Sequence, residues 1–208
     1  MSIELHSCQL CPRLTKYRLE QKNKFPEYHC LPVPGFGSEQ ARLLIVGLAP
    51  GLHGANASGR PFTGDASGDL LFKTLYRFNF SDRPESKNGD AMALHDCRVT
   101  NAVKCLPPDN KPRQDEITRC NPYLVQEINA LPGNGVILAL GALAHRAVLK
   151  ALKLQQSRFA FAHCAEHRLP DNLRLIDSYH CSRYNINTRR LTGVMFDRVF
   201  ETIRQYLK

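Results

Sequence analysis

Short apolar runs that alternate with amphipathic segments constrain the fold of this chain more than any other feature. Leu43–Val46 and Val136–Leu140 contain no polar side chain, and a glycine follows each. Such runs are typical of strands that are buried on both faces of a parallel sheet. Arg98–Thr100 and Leu173–Ile176 fit two further strands. Apolar residues at helical spacing predict helices over residues 67–78, 116–131, 142–152 and 191–207.

This alternation of strands and helices predicts an α/β fold. A right-handed crossover between parallel strands places helices on both faces of the sheet, so we expect a three-layer α/β/α arrangement around a central four-stranded parallel sheet. The 208 residues suit one domain spanning residues 1–208, without repeats or linkers. No apolar run approaches the ~20 residues that span a bilayer, so we expect no membrane partner.

Several residues with chemical potential follow the predicted strands. Ligands of open α/β sheets bind outside the carboxyl ends of the strands. The loop Gly47–Gly51 follows the first strand, Asn101 the second and His180 the fourth. Each alone fits an ordinary turn, cap or surface group, but their joint placement favours a binding site. The Gly47–Gly51 loop lacks the spacing of a dinucleotide or Walker loop, so no nucleotide cofactor is expected.

Eight cysteines are the strongest compositional signal. The N-terminus has no basic region followed by an apolar stretch, so we expect a protein of the reducing cytoplasm, without disulfides. Cys8 and Cys11 form a C-x-x-C pair, and Cys105 and Cys120 flank a polar, proline-rich loop. Four thiolates suit either tetrahedral zinc or an iron–sulfur cluster, and the spacing alone does not separate them. The remaining cysteines fit small buried thiols: Cys30, Cys97, Cys164 and Cys181.

The charge balance favours a polyanionic partner. Lys and Arg number 28 against 19 Asp and Glu, which gives a net charge of +9 and an isoelectric point near 9.3. Nucleic acid is the commonest partner of basic proteins of this size. The alternative at this point is a cytosolic enzyme that is basic without binding nucleic acid.

An ordered set of motifs covers nearly the whole chain. It runs through Cys8–Leu14, Val33–Gly37, Gly47–Gly51, Gly59–Gly68, Thr100–Pro108, Cys120 and His180–Asn185. With this set the chain resembles the iron–sulfur uracil-DNA glycosylases of bacteria and archaea. In the family-4 enzymes an acidic residue stands second in the first glycine-rich motif, where this chain has Leu48. The sequence is therefore more similar to the broad-specificity family-5 group.

The resemblance implies a monofunctional DNA repair glycosylase that hydrolyses the N-glycosidic bond of uracil, and of other deaminated bases such as hypoxanthine, to leave an abasic site. It implies a uracil-DNA glycosylase-like fold and a [4Fe-4S] cluster, with zinc second. The implied residues are catalytic Asp65, His180 and Asn101; base-binding Gly47, Ala49, Gly51, Phe62 and Asn101; and metal-binding Cys8, Cys11, Cys105 and Cys120.

The expected partner is DNA that contains damaged bases, bound by a monomer. The bulky and basic segment after His180 suits a wedge and phosphate clamp through Arg183, Tyr184, Arg189 and Arg190. Lys104, Lys111, Arg113 and Arg119 are further candidate phosphate contacts. One departure from the family pattern is Cys181, which replaces the usual proline after the motif histidine. Two alternatives are a non-catalytic iron–sulfur nucleic-acid-binding protein on the same fold and an iron–sulfur redox protein.

Overall fold

A six-stranded sheet forms the centre of the computed structural model, which describes residues 4–208. Residues 1–3 of the predicted domain lie outside the described part. The strand order is β1-β3-β2-β4-β6-β5. The four inner strands run parallel, as predicted, and each short edge strand pairs antiparallel with its neighbour. The strands are β1 (Phe36–Gly37), β2 (Leu43–Gly47), β3 (Cys97–Asn101), β4 (Val136–Leu140), β5 (Glu166–Arg168) and β6 (Arg174–Ser178).

Seven α-helices accompany the sheet in the described part of the chain. The four predicted helices are present, each within two residues of its predicted ends. The sequence interpretation missed α1, α2 and α6. The reason is clear for α1, whose buried side chains are one leucine and two polar residues rather than an apolar stripe. The helices are α1 (Pro12–Lys24), α2 (Ala55–Ser58), α3 (Ala66–Arg77), α4 (Gln114–Asn129), α5 (Ala142–Ala151), α6 (Arg183–Asn187) and α7 (Gly193–Tyr206).

The core has two halves, one on each face of the sheet. Along β2, Leu44 and Val46 pack with α4 and α5, whereas Leu43 and Ile45 pack with α3 and α7. Successive side chains of a strand point to opposite faces, so a strand covered on both sides needs apolar residues throughout. The three-layer α/β/α prediction is therefore confirmed. Within residues 4–208, no helix combines the length and the hydropathy needed to cross a membrane.

Candidate active site

Gly47 stands where the ends of β2 and β3 meet. It is the register partner of Asn101, and its carbonyl accepts a hydrogen bond from the Ala102 N–H at 2.9 Å. A Cβ atom on Gly47 would lie 2.5 Å from Asn101 Oδ1 and 2.6 Å from Phe62 Cζ. Only glycine leaves room for both neighbours. The structure thus brings together three predicted base-binding residues, although Asn101 is only 4% exposed.

Phe62 connects this group to His180. The ring centroids of Phe62 and His180 lie 6.5 Å apart, with an angle of 28° between the planes. Phe62 is buried, and its backbone has a φ of +60°. A non-glycine residue in this left-handed region is uncommon and marks a position that the surrounding structure holds in place. Phe62 and His180 therefore lie next to each other, near the carboxyl ends of the inner strands.

Asp65 caps the N-terminus of α3. Its Oδ1 accepts a hydrogen bond from the Ser67 N–H at 3.0 Å. Its Oδ2 faces the glycine loop, since a Cβ atom on Gly51 would lie 3.3 Å from it and one on Gly54 2.5 Å. Burial raises the pKa of the Asp65 carboxyl above its ordinary value, while hydrogen bonds from backbone N–H groups oppose the rise. Asp65 thus combines the cap of α3 with a carboxylate oxygen that faces the cavity described next.

A cavity of about 500 Å³ opens between Asp65 and His180. Ala49 and Gly51 line it, as the sequence predicted for base-binding positions. Asn101 and Phe62 do not line it; they stand beside it, against Gly47 and His180. Sequence reasoning missed other lining residues, although Asn110 lies in the recognised proline-rich loop and Ser182 lies within the motif His180–Asn185. These additional residues are Leu48, Leu52, His53, Gly54, Ser67, Asn110 and Ser182.

His180 is a neutral imidazole in this setting. Burial lowers its pKa from 6.5 to about 4, because the charged form loses solvation. The Asn185 side chain donates a hydrogen bond from Nδ2 to the His180 carbonyl at 2.8 Å and so holds the loop in place. The neighbouring Cys181 is fully buried, and burial with the nearby Asp65 carboxylate raises its pKa to about 12. Cys181 therefore contributes an uncharged thiol that packs in the core.

The predicted DNA-binding residues follow His180 closely in the chain. The segment begins with the short helix α6, whose N-cap Ser182 accepts a hydrogen bond from the Asn185 N–H. Tyr184 is 72% exposed, and the Arg190 guanidinium stacks over the Tyr179 ring at 4.8 Å. Arg183, Arg189 and Arg190 are exposed as well.

Lys104 is not available to a phosphate, so its prediction as a DNA contact is wrong. Only 1% of it is exposed, and its Nζ donates hydrogen bonds to Glu127 at 2.6 Å and to Thr100. The other three candidates on this side are exposed: Lys111, Arg113 and Arg119.

The four predicted metal-binding cysteines line one small internal space together with Leu14, Val103 and Tyr123. Burial raises the pKa of Cys105 to about 12 and that of Cys120 to about 11. The Lys104 N–H donates to Cys120 Sγ at 3.2 Å, as an amide does to a thiolate ligand. An all-sulfur donor set in an apolar wall fits a soft metal centre. Of the other cysteines, Cys164 is exposed, contrary to expectation.

The four cysteines suit both metal alternatives. Four thiolates bind one tetrahedral zinc ion, and four thiolates also hold an iron–sulfur cluster. The donor set therefore fits a soft metal centre of either kind.

Comparisons with known proteins identify the family. The profile of the Uracil DNA glycosylase superfamily matches residues 34–208. A Type-5 uracil-DNA glycosylase of Thermus thermophilus is 45% identical, over 92% of this chain and 90% of its own. A Mycobacterium leprae protein of the same name is 39% identical, over 99% and 93%. The predicted similarity to the family-5 group is thereby confirmed.

A solved structure supports the fold separately. The crystal structure of wild-type Pedobacter heparinus SMUG2 superposes with a TM-score of 0.50 at 11% identity, covering 80% of this chain and 76% of that one. With the profile match over residues 34–208 and the two long alignments above, the chain belongs to the uracil-DNA glycosylase superfamily.

Proposed function

We propose that this protein is a DNA repair glycosylase that hydrolyses the N-glycosidic bond of uracil in DNA and leaves an abasic site. The relatives named Type-5 uracil-DNA glycosylases support this reaction. The observation that carries the proposal is the cavity of about 500 Å³ that Asp65 and His180 line together, with Asn101 beside it. A carboxylate and an imidazole around one space, with an amide beside it, suit a reaction that develops opposite charges on a sugar and a base.

Asp65 acts on the sugar side. Cleavage of the bond passes through an oxocarbenium-like sugar, which a nearby carboxylate stabilises. Its Oδ1 is fixed by the helix cap, so Oδ2 is the oxygen that orients water and faces the cation. The raised pKa makes this carboxylate a stronger base than an exposed aspartate.

His180 acts on the base side. Negative charge builds on the departing base, and a preorganised hydrogen-bond donor aimed at that charge lowers the barrier by roughly 3–4 kcal/mol. With a pKa of about 4, His180 donates as a neutral imidazole at physiological pH. It therefore stabilises the anionic base without protonating it fully.

Asn101 and Phe62 recognise the base. The Asn101 amide offers one donor and one acceptor to the edge of an oxo-base, and the Phe62 ring supplies a stacking face. Backbone groups of Gly47, Ala49 and Gly51 approach the base closely because these positions carry no large side chain. Hypoxanthine presents a similar oxo edge, so we propose that it is a second substrate.

The base reaches this cavity only after it is flipped out of the duplex, which costs a few kcal/mol. We assign the wedge to Tyr184, whose ring is largely exposed at the start of the segment that follows His180. Arg183, Arg189 and Arg190 then neutralise phosphates around the flipped nucleotide. Binding through such contacts weakens steeply as salt is added.

We assign a [4Fe-4S] cluster to Cys8, Cys11, Cys105 and Cys120, which wall one internal space and stand at the positions that the resemblance to the iron–sulfur glycosylases implies. A cluster held by four thiolates is a cross-link that contributes stability. It joins the N-terminal segment to the loop after Asn101 and to α4. We propose that residues 1–208 form one domain that works as a monomer without a nucleotide cofactor.

Base release from oligonucleotides tests the function. Wild-type protein is incubated with single- and double-stranded DNA carrying one uracil or one hypoxanthine, and abasic sites are cleaved with alkali. Asp69 is an exposed acid of the same helix turn as Asp65, so Asp69→Asn is the matched control for Asp65→Asn. We expect cleavage at uracil by wild type and Asp69→Asn, and loss with Asp65→Asn. If the wild type releases no base while binding DNA, the non-catalytic alternative replaces this proposal.

A further inference from the structure

A second group of metal-ligand side chains lies away from both the cavity and the cysteines. His145 comes from α5, His167 from β5 and Asp177 from β6, and their ligand atoms all lie within 4.8 Å of one another. His145 and Asp177 are buried, whereas the His167 side chain is 13% exposed. Aromatic side chains pack against the group; the ring centroids of Phe161 and His145 lie 5.7 Å apart. The group thus has an apolar wall and one side near solvent.

The hydrogen bonds of His145 define which nitrogen is free to bind. Its Nε2 lies 3.0 Å from the Phe159 carbonyl oxygen, which only accepts, so Nε2 carries the hydrogen. Its Nδ1 lies 2.8 Å from Asp177 Oδ1, so one proton lies between these two atoms when no metal ion is bound. A metal-ligating histidine usually donates its second N–H to such a carbonyl, so Nδ1 is the nitrogen that can bind a metal ion in place of the shared proton.

The charge of Asp177 requires a positive partner. Its side chain is fully buried, and its second oxygen lies 3.1 Å from His167 Nε2. Throughout residues 4–208, the ion pairs of this carboxylate are with the two imidazoles, and no lysine or arginine contributes. A buried carboxylate is stable when protons on these imidazoles or a bound cation balance it. Two imidazole nitrogens and one carboxylate are the donors that divalent transition metals prefer.

We propose that His145 Nδ1, His167 Nε2 and Asp177 bind one divalent transition-metal ion, zinc being the first candidate. The ion replaces the proton between His145 and Asp177 and releases it to solvent. Three protein ligands leave a fourth position for water on the side of the partly exposed His167. The site joins the edge strand β5 to β6 and α5, and it contains no sulfur. It does not depend on the proposed glycosylase function.

Cobalt and zinc titrations test this site on the intact protein. Co²⁺ bound by nitrogen and oxygen gives weak visible bands without the intense sulfur-to-metal absorption that cysteine ligands produce. His167→Ala removes the most accessible ligand, and His95→Ala, at an exposed histidine outside the group, is the control. We expect one equivalent of Co²⁺ in wild type and His95→Ala, displaced by Zn²⁺ but not by Mg²⁺, and none in His167→Ala.

Thermal unfolding supplies a readout independent of colour. Zn²⁺ should raise the Tm of wild type and His95→Ala by several degrees and leave that of His167→Ala unchanged, because only a folded site binds the ion. The absence of binding in wild type, equal binding in His167→Ala, or bands of sulfur character alone would overturn the proposal. The group would then be a hydrogen-bonded network balanced by protons. The wild-type titration decides this even if His167→Ala does not fold.

Discussion

Replacing Gly47 by alanine adds one methyl group at the point where the ends of β2 and β3 meet the Phe62 ring. The new Cβ would lie 2.5 Å from Asn101 Oδ1 and 2.6 Å from Phe62 Cζ. Carbon atoms pack at about 3.5–4.0 Å, so Phe62 must retreat by roughly 0.9 Å or the backbone must shift by as much. The Gly47 backbone does not lie in the left-handed region, so the effect comes from the contact and not from strain at this residue.

The displacement affects the reaction more than the fold. Overpacking of this kind costs about 1–3 kcal/mol of stability. A misplacement of about 1 Å at reacting groups costs on the order of 100-fold in rate. Because Asn101 and Phe62 are the two residues that move, we expect the loss in base recognition and in the chemical step, with little effect on phosphate contacts.

Single-turnover release of uracil, measured with enzyme in excess over duplex, separates the chemical step from product release. Gly193→Ala is the matched control, because a Cβ on Gly193 would meet nothing within 4 Å. We expect about a 100-fold slower reaction for Gly47→Ala, unchanged rates for Gly193→Ala, and Tm values that show both variants folded. A folded Gly47→Ala protein with wild-type rates would refute the placement of Asn101 and Phe62 at the base.

Three further expectations concern the acid, the imidazole and the cluster. Asp65→Ala should slow base release by about 10²–10⁴-fold and leave DNA binding nearly intact; a fluorescence anisotropy titration checks the binding. His180 binds a proton in the unfolded chain below pH 6.5 and in the folded protein only near pH 4, so stability should fall as the pH drops from 6.5 towards 4. Urea unfolding should show this slope in wild type and a smaller one in His180→Gln; equal slopes would contradict the burial of His180. Cys105→Ser should lose visible absorption and lower the Tm, and a colourless wild type that binds zinc would contradict the cluster.

The sequence predicted the sheet well because each inner strand is covered on both faces. That burial leaves apolar runs such as Val136–Leu140, which the structure reproduces residue for residue. The edge strands β1 and β5 gave no such signal. They are two and three residues long and partly exposed, so their formation depends on a neighbouring strand rather than on their own composition.

The site was predictable where a residue type has one plausible purpose at a strand end. Asp65 and His180 were expected to meet, and they line one cavity. The contribution of His53 to the cavity was not predictable from a local pattern; its Nδ1 is hydrogen-bonded to the Tyr28 hydroxyl, 25 residues away in the chain. Contacts of this range follow from the packed fold and leave no local pattern.

The burial of Lys104 excludes the phosphate contact that the sequence suggested for it. In the sequence it is one more basic residue near a loop, yet its ammonium is enclosed with Glu127 and Thr100. A buried lysine is stable only with such partners, since removing one of them would leave a charge without solvent. Net charge therefore indicates nucleic acid as a partner, but it does not identify which basic residues face the partner.

The segment from Asn101 to Cys105 shows how the cysteine site and the cavity depend on each other. The N–H groups of Ala102 and Val103 donate to the carbonyls of Gly47 and Leu48, at 2.9 Å each. The next N–H, that of Lys104, donates to Cys120 Sγ. Consecutive amides thus attach one short stretch of backbone to the glycine loop on one side and to a cysteine on the other. Since these bonds leave the stretch little freedom, any change that moves the cysteines also moves the Asn101 amide relative to Gly47.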